Sequence, residues 1–135
     1  MTSNMPAPIV VGVDGSPAAN AALDWAVAEA GRRRLTLRLV HVVEWDPYGP
    51  LPAGEPAQVI AAALAQVQDS APDLGVTAGR IEGSTPAAGL VEQSEWASLL
   101  VVGNRGRGGF TNLLAGSVSV QTAAHAHCPV VVVRR

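Results

Sequence analysis

The chain has 135 residues, a length typical of one domain, and 48% of them are hydrophobic although only 4% are aromatic. The formal net charge is −2, so neither nucleic acid nor an anionic membrane is expected as the main partner. All nine basic residues are arginine, which excludes mechanisms that need a lysine amine, such as a Walker-type phosphate lysine or a Schiff base. We predict a single domain over residues 1–135.

The cellular location is predicted from the cysteine content and the N-terminal residues. Cys128 is the only cysteine, which excludes an internal disulfide and is typical of a reducing compartment. Residues 1–8 lack the basic region and apolar stretch of a signal peptide. No apolar run approaches the ~20 residues that cross a bilayer. We therefore expect a soluble, cytoplasmic protein.

Five apolar, β-branched runs predict strands. The first, fourth and fifth are nearly continuous in valine, isoleucine and leucine, as in parallel strands that are buried on both faces. In chain order the runs are Ile9–Val13, Leu35–Val43, Val76–Ile81, Leu99–Val102 and Val130–Val133.

Helical patterns fill the four gaps between these strands. The first helix is expected to follow a cap at Asp14 or Ser16, with Pro17 in its first turn, and to stop at Gly31. The second helix is expected over Ala57–Asp69. The alternation of strands and helices predicts a three-layer α/β/α fold with a doubly wound parallel sheet, in which a flavodoxin-like arrangement places strand 1 centrally.

The remaining connections complete this pattern. A third helix is expected to start at Ser84 or Thr85 with Pro86 and to reach Ala97. The fourth helix should begin near Gly116–Ser117 and end before Cys128–Pro129. Between strand 2 and the second helix, the proline- and glycine-rich segment Glu44–Pro56 predicts a long loop, and loops of this length are often functional or mobile.

A phosphate site is predicted at the carboxyl ends of strands 1 and 4, because ligands of open α/β sheets bind where the strand order reverses. Strand 1 runs into residues 12–16, and strand 4 runs into residues 103–109. Glycine amides in such a loop can form an anion-binding nest, and a helix start near residues 116–117 adds free amides. The hydroxyls of Ser117 and Ser119 add donors. The glycines are Gly103, Gly106, Gly108 and Gly109, and the nearby cations are Arg105 and Arg107.

Several of these residues have more than one interpretation. The glycines could simply form a flexible connection, although their place between a strand end and a helix start favours phosphate. Asp14 could cap the first helix or accept a hydrogen bond from a nucleoside, and spacing alone does not separate the two roles. His41 alternates inward with two leucines, which is typical of a core histidine.

The other candidates for chemistry are interpreted as structural. His125, His127 and Cys128 are poorly spaced for a metal site, and Cys128 is expected to be a small buried filler at the start of strand 5. The arginine run 32–34 is interpreted as a solvated helix end that complements the helix dipole. No triad, carboxylate pair or ligand cluster indicates an enzyme.

The glycine spacing resembles the ATP-binding pattern of the universal stress protein family, in its single-domain type. The segment Gly103-x2-Gly106-x9-Gly116-Ser117 matches that pattern, and the likeness extends over nearly the whole chain. It includes Ile9–Ser16, Leu39–Val43 and His125–Val133. Asn104 departs from the serine or threonine that many members carry, and residues 46–79 are the least alike.

This resemblance implies a fold, a ligand and an assembly. The sheet would have the order 3-2-1-4-5 of the adenine nucleotide α-hydrolase-like variant. ATP would be the ligand, with Mg²⁺ held mainly through the phosphates and water, and strand Val130–Val133 would pair with its mate in a homodimer. Family members often hydrolyse ATP slowly or not at all. The implied adenosine contacts are Gly12, Asp14 and Val42, and the implied phosphate contacts are Gly103, Arg105, Gly106, Gly109, Gly116, Ser117, Val118 and Ser119.

Three functional hypotheses follow. The leading one is an ATP-binding regulatory or stress-response protein, in which the nucleotide changes conformation or partner binding. The second is a slow ATP hydrolase, and the third is a dimeric interaction protein that binds no nucleotide.

Overall fold

The computed structural model describes residues 6–44, 54–83, 85–104 and 117–134. Strands and helices alternate along these residues as the sequence predicts. The strands are β1 (Ile9–Gly12), β2 (Leu37–Glu44), β3 (Val76–Gly83), β4 (Leu99–Gly103) and β5 (Val130–Val133). The helices are α1 (Pro17–Arg33), α2 (Gly54–Ser70), α3 (Pro86–Ser94) and α4 (Ser117–His125).

The five strands form one parallel sheet in the order β3-β2-β1-β4-β5, which confirms the predicted fold class. β1 lies at the centre, with Val11 opposite Leu39 of β2 on one side and opposite Val101 of β4 on the other. The chain moves outward from β1 through β2 to β3, and then returns to place β4 on the other side of β1. The strand order therefore reverses between β1 and β4.

Helices cover both faces of the sheet, and each face has its own hydrophobic cluster. Residues of α1 and α2, such as Leu23 and Val67, pack on one face of β1, β2 and β4. Leu90 of α3 belongs to the cluster on the other face, and Val118 of α4 packs against it. This double cover explains why the apolar runs of β1 and β4 are continuous rather than alternating.

The first helix differs from the prediction at its end. It continues to Arg33 and passes through Gly31, which has helical backbone and nothing within 4 Å of its position for a side chain. Arg34 then takes the left-handed conformation, with φ 58° and ψ 42°. Its N–H donates to the Gly31 carbonyl, and the Leu35 N–H donates to the Ala30 carbonyl. These two bonds form a Schellman motif, so β2 begins at Leu37 and not at Leu35.

Two further boundaries also differ. α2 begins at Gly54, so Gly54–Pro56 belong to its first turn, where proline is well tolerated, and not to the preceding loop. Residues 45–53 of the predicted loop lie outside the described residues. α3 ends at Ser94, so Ala97 is not part of it. The amides of residues 95–97 instead donate to carbonyls three residues back, which makes a tighter turn into β4.

Candidate functional site

The carboxyl ends of β1 and β4 lie side by side at the point where the strand order reverses. The two strands are parallel and hydrogen-bonded, with Ile9 opposite Leu99. The loop that begins at Val13 and the segment that begins at Gly103 therefore leave the sheet at the same edge. This is the position in an open α/β sheet at which a ligand is expected.

The loop after β1 contains both predicted candidates for the cap of α1, Asp14 and Ser16. Ser16 is the N-cap, and its Oγ accepts a hydrogen bond from the Ala19 N–H at 3.1 Å. Asp14 accepts the Ser16 N–H at 2.8 Å through Oδ1. Gly15 between them has φ +83°, a conformation that other residues rarely adopt. Asp14 is therefore not the cap; its half-buried carboxylate shapes the loop at the edge of the sheet.

Gly103 brings the end of β4 into contact with the start of α1. A Cβ atom at this position would lie 2.7 Å from the Ala18 carbonyl carbon and 3.0 Å from the Ala19 nitrogen. No side chain fits so close to backbone atoms, and only glycine allows this approach. The segment that follows Gly103 consequently begins beside the first turn of α1, whose dipole favours an anion.

Gly12 and Val42 lie on the opposite face of the sheet, under α3. A Cβ at Gly12 would meet Leu90 Cδ2 at 3.2 Å. Val42 is half-buried and packs against Gly89 of α3 and Gly83 at the end of β3. Two of the three predicted adenosine residues, Gly12 and Val42, therefore contact the same helix, α3.

The start of α4 holds the last predicted phosphate residues. Ser117 opens the helix, Val118 is half-buried against the α3-side cluster, and Ser119 is 2% exposed. The other predicted phosphate residues lie outside the described residues: Arg105, Gly106, Gly109 and Gly116. Arg107 and Gly108 lie outside them as well.

His41 holds the loop after β1 in place. Its Nδ1 lies 2.7 Å from the Val13 carbonyl oxygen, and its side chain is 8% exposed. This confirms the expectation of a core histidine with a satisfied hydrogen bond. Because Val13 precedes Asp14, the contact also ties β2 to the loop that carries the candidate nucleoside acceptor.

Cys128 differs from its prediction. It is partly exposed, and it precedes β5 by two residues because Pro129 separates it from Val130. Its Sγ lies 3.4 Å from the Pro129 carbonyl oxygen. Burial raises the pKa of the thiol above its usual value, which lowers its thiolate fraction and its reactivity.

The arginine run at the end of α1 is exposed, and two of its members are paired, in agreement with its interpretation as a helix end. Arg32 and Arg33 both bond to Glu29, at 2.6 Å and 2.7 Å. The hydrogen bond from Arg32 is the main reason that the pKa of Glu29 lies below its usual value. These cations lie in the last turn of the helix, where the dipole favours them.

Within the described ranges, no three histidine, cysteine or acidic side chains cluster as metal ligands. In the same ranges, no helix is long and apolar enough to cross a membrane. His127 Nε2 and Glu95 Oε1 are 3.7 Å apart on the surface between α3 and α4, away from the end of the sheet at which β1 and β4 open.

Sequence reasoning missed Gly89 and Leu90, the α3 residues that contact Val42 and Gly12. The only signal for them was a glycine in the middle of a predicted helix. Glycine is disfavoured in such a position, and it usually has a packing reason there. That reason appears only when the helix is placed on the sheet.

Comparison with known proteins agrees with this geometry. The model of the universal stress protein family matches residues 5–134. A universal stress protein of Mycolicibacterium smegmatis is 41% identical in an alignment of 136 positions that covers 94% of this chain and 45% of that protein. A universal stress protein of Mycobacterium tuberculosis is 41% identical over 135 residues, covering 95% of this chain and 45% of its own length. The chain thus spans about half the length of these relatives.

Solved structures share the fold. A universal stress protein family member from Burkholderia pseudomallei is 26% identical, with a TM-score of 0.72 over 98% of both chains. A universal stress protein in complex with cAMP has a TM-score of 0.77 at 24% identity, covering 94% of this chain and 96% of that one. The Archaeoglobus fulgidus protein in complex with dAMP has a TM-score of 0.74 at 23% identity, covering 95% and 98%. By its sequence match over residues 5–134, the chain belongs to the universal stress protein family.

Proposed function

We propose that this chain binds an adenine nucleotide, with ATP as the functional ligand, and acts as a stress-response regulator through nucleotide-dependent conformation or partner binding. The observation that carries the proposal is the contact of Gly103 with the first turn of α1, at the point where the ends of β1 and β4 open side by side. Support also comes from the two solved family members in complex with cAMP and dAMP.

The proposed site has a base side and a phosphate side. On the base side, Val42 would pack against the adenine, Gly12 would leave room for the nucleoside, and Asp14 would accept a hydrogen bond from it. A carboxylate has acceptor positions for several donors, so this role is compatible with the bond from the Ser16 N–H. The phosphate side would consist of Gly103, Arg105, Gly106, Gly109, Gly116, Ser117, Val118 and Ser119.

Mg²⁺ would neutralise part of the triphosphate charge. In this proposal its ligands are mainly phosphate oxygens and water, since Mg²⁺ usually keeps several waters and is bound through substrate phosphates. Asp14 is the carboxylate in the loop between β1 and α1. In this proposal it accepts hydrogen bonds from the nucleoside and from the Ser16 N–H.

The regulatory part of the proposal depends on the elements of the fold that the nucleotide would contact at the same time. A nucleotide shifts a population only if it binds one state better than another. A ligand that spans the end of β1, the segment after β4 and the start of α4 would bind best when these elements are together. Occupancy would therefore favour one arrangement of the surface around the site.

A homodimer through β5 completes the proposal. β5 is an edge strand of four half-buried valines. The carbonyl of Pro129 accepts a bond from Leu100 of β4, and that of Val133 accepts one from Asn104 directly after β4. Alternation therefore directs the backbone groups of Val130 and Val132 away from β4. The other edge strand, β3, carries the exposed charges of Arg80 and Glu82, a common protection against edge pairing. The unprotected edge is the better candidate for pairing.

Nucleotide binding can be tested on the native chain and on Gly106→Glu. Wild type should copurify with adenine nucleotide, and calorimetry should detect ATP binding in the presence of magnesium. A carboxylate at position 106 should repel the phosphates and weaken binding by about tenfold or more. Gly31→Ala, on a distant helix, is the matched control and should bind ATP like wild type.

The proposal fails if wild type binds no adenine nucleotide. That result would favour the hypothesis of a dimeric interaction protein that binds no nucleotide. ATP turnover that Asp14→Ala abolishes would instead indicate a slow hydrolase. A cytoplasmic location and one domain over residues 1–135 stay predictions from the sequence.

A further inference from the structure

Gly89, in the interior of α3, touches the residue that the proposed function places against adenine. We propose that Gly89 is a positioning residue for the base side of the nucleotide site and that it acts through Val42. The inference rests on the proposed function, because it takes Val42 as a contact of the base. It extends that function to a helix whose residues carry none of the roles proposed above.

The contact between Gly89 and Val42 leaves no space for a side chain. A Cβ atom at position 89 would lie 2.8 Å from both Cγ1 and Cγ2 of Val42 and 3.4 Å from its Cβ. Distances under 3.0 Å are essentially never seen for real Cβ atoms. Gly89 is buried, and its N–H donates to the Thr85 carbonyl at 3.1 Å as in any helix.

The backbone does not require glycine here. Gly15 is the glycine with positive φ in the part of the chain that the structure describes, so Gly89 has ordinary helical backbone. Glycine is disfavoured in a helix interior compared with alanine. Its presence at position 89 is therefore explained by the close approach of α3 to Val42.

Val42 cannot avoid an added methyl group by rotating. Valine has two methyl groups for three staggered positions, and two of these positions face Gly89 at 2.8 Å. Every staggered rotamer therefore leaves at least one methyl group in the contact. Alanine at position 89 would force α3 or β2 to move.

The same movement of α3 would also change the surroundings of Gly12, the other base-side residue that α3 contacts. Leu90 follows Gly89 in α3, and its Cδ2 lies 3.2 Å from the position of a Cβ at Gly12. Displacement of α3 would thus change the surroundings of Val42 and Gly12 together. Gly103 contacts α1 on the opposite face of the sheet, so this part of the phosphate side should keep its geometry. Val118 packs against the same cluster as Leu90, so a displacement of α3 would also affect the start of α4.

The test compares Gly89→Ala with wild type by calorimetry, using three probes: ATP with magnesium, adenosine and inorganic tripolyphosphate. Binding of ATP and adenosine should weaken by about tenfold, as for the loss of one good apolar contact. Tripolyphosphate binding should weaken clearly less than ATP binding, because Gly103 packs on α1 and not on α3. Gly31→Ala is the control for a glycine replaced in a helix, and it should leave all three affinities unchanged.

A double-mutant cycle shows whether the effect acts through Val42. In the Val42→Ala background both methyl groups are gone, so Gly89→Ala should cause no further loss of ATP affinity. An equal loss in both backgrounds would overturn the inference. So would an unchanged ATP affinity of Gly89→Ala, or an equal weakening of all three probes.

Circular dichroism decides whether the variants fold, and each is also made in the Gly31→Ala background for added helix stability. If Gly89→Ala unfolds even there while Val42→Ala/Gly89→Ala folds, the positioning contact is supported. If both unfold, the claim that Gly89 acts through Val42 is overturned. Failure of wild type to bind ATP would refute the proposed function, whereas binding by wild type and Gly89→Ala alike refutes this inference alone.

Discussion

Asp14 and Ser16, two polar residues at the start of α1, make different hydrogen bonds and have different structural roles. Either could cap α1 by its residue type, and Ser16 is the cap, because it has the extended backbone and accepts the bond from the Ala19 N–H. Asp14 instead bonds to the amide of Ser16. Its carboxylate stays at the edge of the sheet, where the proposed nucleoside would lie.

We predict that Ser16→Ala lowers the free energy of unfolding by about 1 kcal/mol, because it leaves the buried start of α1 without its side-chain cap. Urea denaturation of the nucleotide-free protein measures this change. Ser16→Asp, which can also cap a helix, should retain most of the stability. Unchanged stability of Ser16→Ala would contradict the capping role.

At the scale of elements, the end of α1 is set by its hydrogen bonds and not by the position of its glycine, the residue with the widest range of backbone conformations. Gly31 lies in helical backbone, while Arg34 takes the left-handed conformation that glycine adopts more easily. Arg34 is held there because the amides of residues 34 and 35 satisfy the last carbonyls of the helix. Leu35 then packs against the core.

Gly31→Ala should stabilise the protein by about 0.5–1 kcal/mol, since alanine has the higher helix propensity and nothing lies within 4 Å of the new methyl group. Thermal unfolding without nucleotide should show a higher midpoint. A lower midpoint would mean that Gly31 is needed for a contact or for the end of the helix.

At the scale of the whole molecule, the two edges of the sheet differ in chemistry. β3 exposes charged side chains, and β5 presents valines with outward backbone groups. An edge without charge, proline or bulge is open to pairing with another strand. We therefore expect β5, and not β3, to be the edge that pairs in the proposed homodimer.

Val132→Pro tests the proposed dimer, because it removes an N–H that points away from β4 and leaves the ladder with β4 intact. Wild type is expected to sediment as a dimer and this variant as a monomer with unchanged secondary structure. Arg80→Pro is the matched control on β3, since the Gly75 carbonyl accepts from Leu37 and alternation turns the Arg80 N–H outward. It should remain dimeric; a dimeric Val132→Pro would contradict pairing through β5.

Much of the architecture was predictable because it is encoded locally. Continuous apolar runs such as Leu99–Val102 predict strands covered on both faces, and Ser84 or Thr85 with Pro86 predicts the start of α3, where Thr85 is the cap. The errors fall at element ends, at Gly31, Leu35, Ala57 and Ala97. There the choice depends on capping bonds and on where the next strand docks, which residue type alone does not determine.

The amino-acid sequence by itself determined the alternation of strands and helices, the absence of lysine chemistry and, through its glycine spacing together with the flanking segments, the family. Only the tertiary structure decided which residues meet. Gly103 lies against Ala18 and Gly89 lies against Val42 although each pair is distant in the chain. Such contacts follow from the order of strands and the docking of helices on opposite faces. A local pattern of residue types does not contain that information.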